Sequence, residues 1–130
     1  MRITSLVSIA VAAAACGTAA DPELARVNQP FQLAVGERVV AGGLSIRFTG
    51  VSADSRCARN VVCIWEGDGA VLVEVAPFAT DGRVDTLHTR LDPKTIDIGD
   101  RSLELVALDP YPATTDPIPQ TEYVATFVLR

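Results

Sequence analysis

The chain has 130 residues, 16 of them acidic and 11 basic, and a formal net charge of −5 at neutral pH. Its one lysine is Lys94 and no basic cluster occurs, which excludes the electrostatic footprint of a nucleic-acid binder and leaves the acidity to serve solubility. The length suits one domain, and three cysteines with one histidine leave little material for a metal centre or a cofactor site.

Residues 1–15 are expected to be a signal peptide. Arg2 supplies a minimal positive start, and residues 3–15 (ITSLVSIAVAAAA) are apolar, end in small side chains and are too short to span a bilayer comfortably. Ala13-Ala14-Ala15-Cys16 resembles a bacterial lipobox, in which the cysteine sulfur takes a diacylglycerol and the peptide bond before it is cut. Ala13 stands where leucine is usual. The rival is a plain signal peptide cleaved near Ala20. Two or three acyl chains on Cys16 give a stable anchor, where a single chain holds only marginally. Gly17 then becomes the second mature residue. Lipoproteins retained at the inner membrane of Gram-negative bacteria often carry aspartate there, so the resemblance implies the outer membrane, with the domain facing the periplasm or the cell surface.

Residues 16–29 are small and polar without lasting periodicity and are expected to be a lipidated cysteine and a tether, with at most one helical turn near 23–27. The domain is assigned to residues 30–130. Phe31, Leu33 and Val35 alternate with polar or small residues, which predicts a first strand over 31–35. Gly36-Glu37 turns into a short strand over 38–41, and Gly42-Gly43 turns again. Leu44, Ile46 and Phe48 alternate with Ser45, Arg47 and Thr49, a half-buried strand that extends through Val51 towards Ala53. The valine-rich 70–78 predicts a central strand limited by Pro77. Thr80-Asp81-Gly82 has the residue types of a hairpin turn, with a partner strand over 84–91. Asp92-Pro93 breaks it, 95–98 is a short strand, and 102–108 alternates again. Residues 109–120 (DPYPATTDPIPQ) hold four prolines and read as a loop, and 122–129 closes the domain. About seven to nine short strands with almost no helix signal predict an all-β chain, an antiparallel β-sandwich of immunoglobulin-like outline, with a small β-barrel as the alternative.

The stretch 52–69 (SADSRCARNVVCIWEGDG) interrupts this rhythm. Cys57 and Cys63 are separated by five residues. Zinc sites use closer spacings with a second ligand pair, and redox pairs have two intervening residues, so a structural disulfide in an oxidising compartment is the expected state and no metal is assigned. Asp54 is placed to accept bonds from Arg56 or from loop amides. Trp65 is expected to cap the core, with an exposed binding role as the alternative. Arg56, Arg59, Trp65 and Glu66 are the candidate contact surface; the plainer alternative is a solvated loop with weak local ion pairs.

Asp54-Ser55-Arg56-Cys57, followed by Val62-Cys63-Ile64-Trp65 and Gly67, resembles the signature of a family of small bacterial lipoproteins of unknown function, roughly DSRCP, a few residues, then CVWAG. The likeness extends from about Phe31 to Asp109-Pro110-Tyr111-Pro112 and the last strand. Ala58 stands in place of proline and Glu66 in place of alanine. The resemblance implies an envelope location and this fold, and brings no assigned activity.

Catalytic patterns are sparse. No G-x-S-x-G elbow, glycine-rich phosphate loop or calcium loop of the D-x-D-x-D-G type occurs, and His88 reads as an exposed strand residue. The expectation is a non-catalytic envelope lipoprotein, a binding or structural module that contacts the membrane through its anchor and has an envelope protein as its candidate partner. The alternatives are a small hydrolase using paired carboxylates, and an enzyme inhibitor that inserts the Cys57–Cys63 loop with Trp65 at its tip.

Overall fold

Side chains that alternate along the chain sort themselves to two faces of a strand, and here the apolar faces of two sheets meet. The computed structural model describes residues 23–77 and 81–130. The expected signal peptide, Cys16, the expected tether as far as residue 22, Phe78 of the predicted 70–78 strand and Thr80 of the predicted turn lie outside the described residues. The strands are β1 (Glu23–Leu24), β2 (Pro30–Ala34), β3 (Arg38–Ala41), β4 (Leu44–Asp54), β5 (Gly69–Pro77), β6 (Arg83–His88), β7 (Thr95–Ile98), β8 (Arg101–Asp109) and β9 (Val124–Leu129), with one 3-10 turn at Gln120–Glu122. They form one sheet in the order β1-β3-β4-β5-β6 and a second in the order β2-β9-β8-β7. The molecule is therefore a β-sandwich, and the two sheets do not close into a barrel. The chain runs as two meanders, β3 to β6 and β7 to β9, with β1 added beside β3 and β2 beside β9. Every pairing is antiparallel except β1 with β3.

The core lies between the sheets. Ile46, Phe48, Val71, Val73 and Leu87 from the first meet Leu33, Leu103, Phe127 and Leu129 from the second, all essentially inaccessible. Phe48 and Phe127 join the layers edge to face with ring centroids 6.3 Å apart, and Phe31 lies 6.0 Å from Phe127.

Two breaks in the alternation have a structural cause. In β4 the buried apolar side chains step from Phe48 to Val51, past the buried Gly50, and in β8 from Leu105 to Leu108. A step of three cannot keep one face of a period-two strand inward, so each strand takes an irregularity, between Phe48 and Gly50 in β4 and between Leu105 and Ala107 in β8. At the β4 break the Gln120 side chain substitutes for a strand partner: its Oε1 accepts from the Val51 amide and its Nε2 donates to the Val51 carbonyl, both at 2.9 Å.

Residues 23–29 differ from the expected tether. Glu23 and Leu24 pair with Val39 and Val40, the Asn28 amide donates to the Leu129 carbonyl at 2.7 Å, and Ala25 and Val27 pack against the core. Apolar Ala25 and Val27 carry the chain from the first sheet to the second, and no helical turn forms.

Phe127 touches both layers, so Phe127→Ala is expected to lower unfolding stability by about 3–5 kcal/mol in urea titrations. A loss below about 1 kcal/mol, the level of an exposed substitution, would contradict this packing.

Candidate functional site

The loop between β4 and β5 is a continuation of their hairpin. Beyond the last strand pair, Asp54 with Gly69, the Ser55 amide donates to the Asp68 carbonyl and the Cys57 amide to the Glu66 carbonyl, each at 2.8 Å. Gly67 sits between these bonds with φ +72°, and a Cβ there would run into the Ser55 carbonyl, so only glycine fits. The Cys57–Cys63 disulfide then closes the end, with its Cα atoms 6.0 Å apart. Ala58, where the resembled signature has proline, is buried, and its carbonyl accepts the Val61 amide in a tight turn.

Arg56, expected on a contact surface, is turned inward; its side chain is 6% exposed. Its Nε and Nη2 donate to the two carboxylate oxygens of Asp54 at 2.8 Å each. Nη1 donates to the Leu108 carbonyl at 2.7 Å and Nη2 to the Pro110 carbonyl at 2.9 Å. Asp54 also accepts the Tyr123 hydroxyl at 2.9 Å and the Arg56 amide at 3.3 Å. Burial pushes the Asp54 carboxyl up, but the Arg56 and Tyr123 bonds outweigh it and hold the group below its ordinary value. Burial and the bond to Asp54 push the Tyr123 phenol up to about 12. The expected Asp54–Arg56 bond is present, and it reaches further than local spacing predicts: it joins the ends of β4 and β8 and the entry to β9.

A second buried carboxylate braces the other side. Asp68 is buried. It accepts the amides of Arg90 at 2.9 Å and Leu91 at 3.1 Å, and His88 Nδ1–H at 2.6 Å. Burial raises its carboxyl, and the bonds from His88 and the two amides more than reverse this, so it too lies below its ordinary value. His88 is thereby half-buried and held, not the exposed strand residue expected. The Thr89 hydroxyl accepts the Gly69 amide at 2.8 Å and completes the brace.

Outside these braces lies an exposed apolar surface. Val62 and Ile64 are fully exposed, Trp65 is 52% exposed, and Val61, Leu91 and Tyr111 are exposed to a lesser degree. Trp65 therefore does not cap the core. The outermost side chains of the loop are Val62 and Ile64, with Trp65 on the flank beneath the Arg90 guanidinium, 5.4 Å from its ring centroid. Glu66 lies 3.4 Å from Arg90 and is open to water. Arg59 lies 5.2 Å over the Tyr111 ring, and Arg56 lies 5.4 Å from the same ring. Tyr111 donates its hydroxyl to the Cys57 carbonyl at 2.7 Å, and the Arg59 amide donates to the Pro112 carbonyl at 3.1 Å. The structure thus brings Arg59, Trp65 and Glu66 to one exposed end and removes Arg56 from it. Tyr111, Tyr123, Asp68 and Arg90 are partners that sequence reasoning missed, because each lies far along the chain from what it touches or in a segment read as a simple turn.

A cavity of about 460 Å³ separates the stapled hairpin from the proline-rich segment, lined by Asp54, Cys57, Val61, Thr114, Asp116 and Gln120 among others. Its buried carboxylate, Asp54, is already bonded to Arg56 and Tyr123. Among the described residues no group of three or more His, Cys, Asp or Glu side chains is arranged to hold a metal ion. Comparison with protein-family models, curated proteins and solved structures finds no match to this chain.

Asp54→Asn leaves the buried Arg56 charge without its partner and is expected to cost about 3–5 kcal/mol. Because the folded carboxyls of Asp54 and Asp68 lie below their unfolded value near pH 4, the stability they contribute is full above that pH and is lost as pH falls through the folded values. Urea titrations from neutral to acid pH should show a lower plateau and a shallower acid loss in the variant; an unchanged curve would contradict the assignment.

Proposed function

We propose that the chain is a lipid-anchored bacterial envelope lipoprotein whose sandwich is a non-catalytic binding module, working through the stapled end of the β4–β5 hairpin. The anchor is Cys16, and the location is the outer membrane, with the domain facing the periplasm or the cell surface. The lipobox-like Ala13-Ala14-Ala15-Cys16 and the resemblance of 54–67 to a lipoprotein signature support location and anchoring. The observation that carries the binding role is the pairing of exposure with rigidity. Val62, Ile64 and Trp65 stand in water on a segment held by a disulfide, a buried ion pair and a buried carboxylate. A patch of this kind marks an interaction site more often than a neutral surface.

The contact surface in this reading is Arg59, Val62, Ile64, Trp65 and Glu66, with Arg56 as its internal support. Both buried carboxylates are engaged in bonds that organise backbone, which supports binding over carboxylate hydrolysis. The exposed, constrained loop is also the shape that enters an enzyme cleft, and this favours the inhibitor reading as the second choice.

Two measurements test the proposal in living bacteria. Labelled palmitate should enter the wild-type protein and not Cys16→Ser. A photo-cross-linking residue at Val62 should give adducts with envelope components, and one at the exposed Asp97 of β7 should not. Equal adduct yields at the two positions would overturn the contact surface, and capture of a single enzyme at Val62 would establish the inhibitor reading.

A further inference from the structure

We propose that the partner of the stapled tip is the lipid bilayer itself: Val62 and Ile64 enter the boundary between headgroups and acyl chains, Trp65 lies at headgroup level, and Arg59 and Arg90 meet lipid phosphates. The inference rests on the envelope reading above, because it needs a membrane within reach.

The chemistry of the tip matches an interface. Two fully exposed aliphatic side chains lead, and each gains about 1.5–3 kcal/mol on leaving water. A half-exposed tryptophan follows on the flank, with its apolar body and its polar N–H suited to the zone between hydrocarbon and water. Arg59 and Arg90 lie over aromatic rings with long stems that let the charge stay at phosphate level while the chain beneath is covered. One acid of this rim, Glu66, stands beside Arg90. Backbone at the base of the tip is bonded internally: the Cys57 amide to Glu66, the Arg59 amide to Pro112 and the Val61 amide to Ala58.

The topology points the same way. β1 runs parallel to β3, and β3 antiparallel to β4, so β1 runs away from the end of the sandwich that carries the tip, with Glu23 at its tip-side start. Six residues, 17–22, separate Cys16 from Glu23. Their full extension reaches about 24 Å. Glu23 is level with Val39 and Ile46, and from the Ile46–Val75 pair to the Asp54–Gly69 pair at the root of the stapled hairpin the sheet rises about 20 Å, six residues of β5, because the irregularities take up two residues of β4. An anchor at Cys16 and the root of the hairpin can therefore lie in one plane. What projects beyond that plane is the stapled segment bearing Val62 and Ile64.

Trp65 is the only tryptophan, so its emission reads the tip without a label. Full-length lipidated protein is placed on vesicles of phosphatidylethanolamine and phosphatidylglycerol, with and without bromine on the acyl chains. Flotation reads the anchor, and emission reads the tip. The expected result is a blue shift of Trp65 on the vesicles and loss of intensity with brominated chains. Both should disappear in Val62→Asp/Ile64→Asp, which still floats and keeps the wild-type melting temperature because both side chains are outside the core. Flotation without shift or quenching overturns the tip's role and leaves the anchored reading intact. Quenching that persists in the double variant overturns it too, since the anchor alone then brings Trp65 near lipid. Adducts of the Val62 cross-linker confined to protein, with none to lipid, overturn it in favour of a protein partner.

Discussion

The bidentate bond between Arg56 and Asp54 is the constraint on which the stapled end of this molecule depends. A two-stranded ribbon projecting beyond a sheet is marginal in water by itself. Here a single guanidinium at its root holds the end of β4 through Asp54, the end of β8 through the Leu108 carbonyl and the proline-rich segment through the Pro110 carbonyl. Tyr123 adds the entry to β9 by donating to the same carboxylate. A buried ion pair of this kind gives little net stability compared with a well-packed apolar substitute, because both charges leave water. Its contribution is geometric: the planar fork fixes direction as well as distance, which an ammonium on a flexible stem does not.

Everything further out inherits that geometry. The disulfide closes a short loop and contributes about 2 kcal/mol by chain entropy. Tyr111 ties the Cys57 carbonyl to the proline-rich segment, and Asp68 ties the base of β5 to the turn after β6. The apolar tip is therefore ordered before it meets anything, and association at this end does not carry the entropy cost of ordering a free loop. The proline-rich segment, unremarkable as a connection, supplies the two carbonyls and the aromatic ring that make the arrangement work.

Much of the sandwich was legible in the alternation of Phe31 and Leu33, of Leu44, Ile46 and Phe48, and of Leu103 and Leu105, because a period of two has one physical meaning in a half-buried strand. The same rule hides its exceptions: the steps from Phe48 to Val51 and from Leu105 to Leu108 were in the sequence, and they become bulges only once one face is known to be buried. The cysteine pairing and the Asp54–Arg56 contact follow from short spacing. The placement of Trp65, Arg56 and His88 does not. Each depends on what arrives from elsewhere: Leu108 and Pro110 draw Arg56 inward, and Asp68, twenty residues before it in sequence, holds His88. Trp65 loses its place in the core because Gly67 and the Cys57–Glu66 pairing direct the hairpin past the end of the sandwich. Residues 23–29 looked like a tether because two apolar side chains, Ala25 and Val27, make no period.

Amide hydrogen exchange in Arg56→Lys tests the central claim most directly. Lysine keeps the charge beside Asp54 and cannot hold Asp54, Leu108 and Pro110 together. The account predicts that the Cys57 amide, bonded to Glu66, and the Arg59 amide, bonded to Pro112, exchange faster together while core amides such as that of Phe127 keep their protection. Unchanged protection at Cys57 and Arg59 would show that the hairpin stands without the guanidinium fork and would contradict the account.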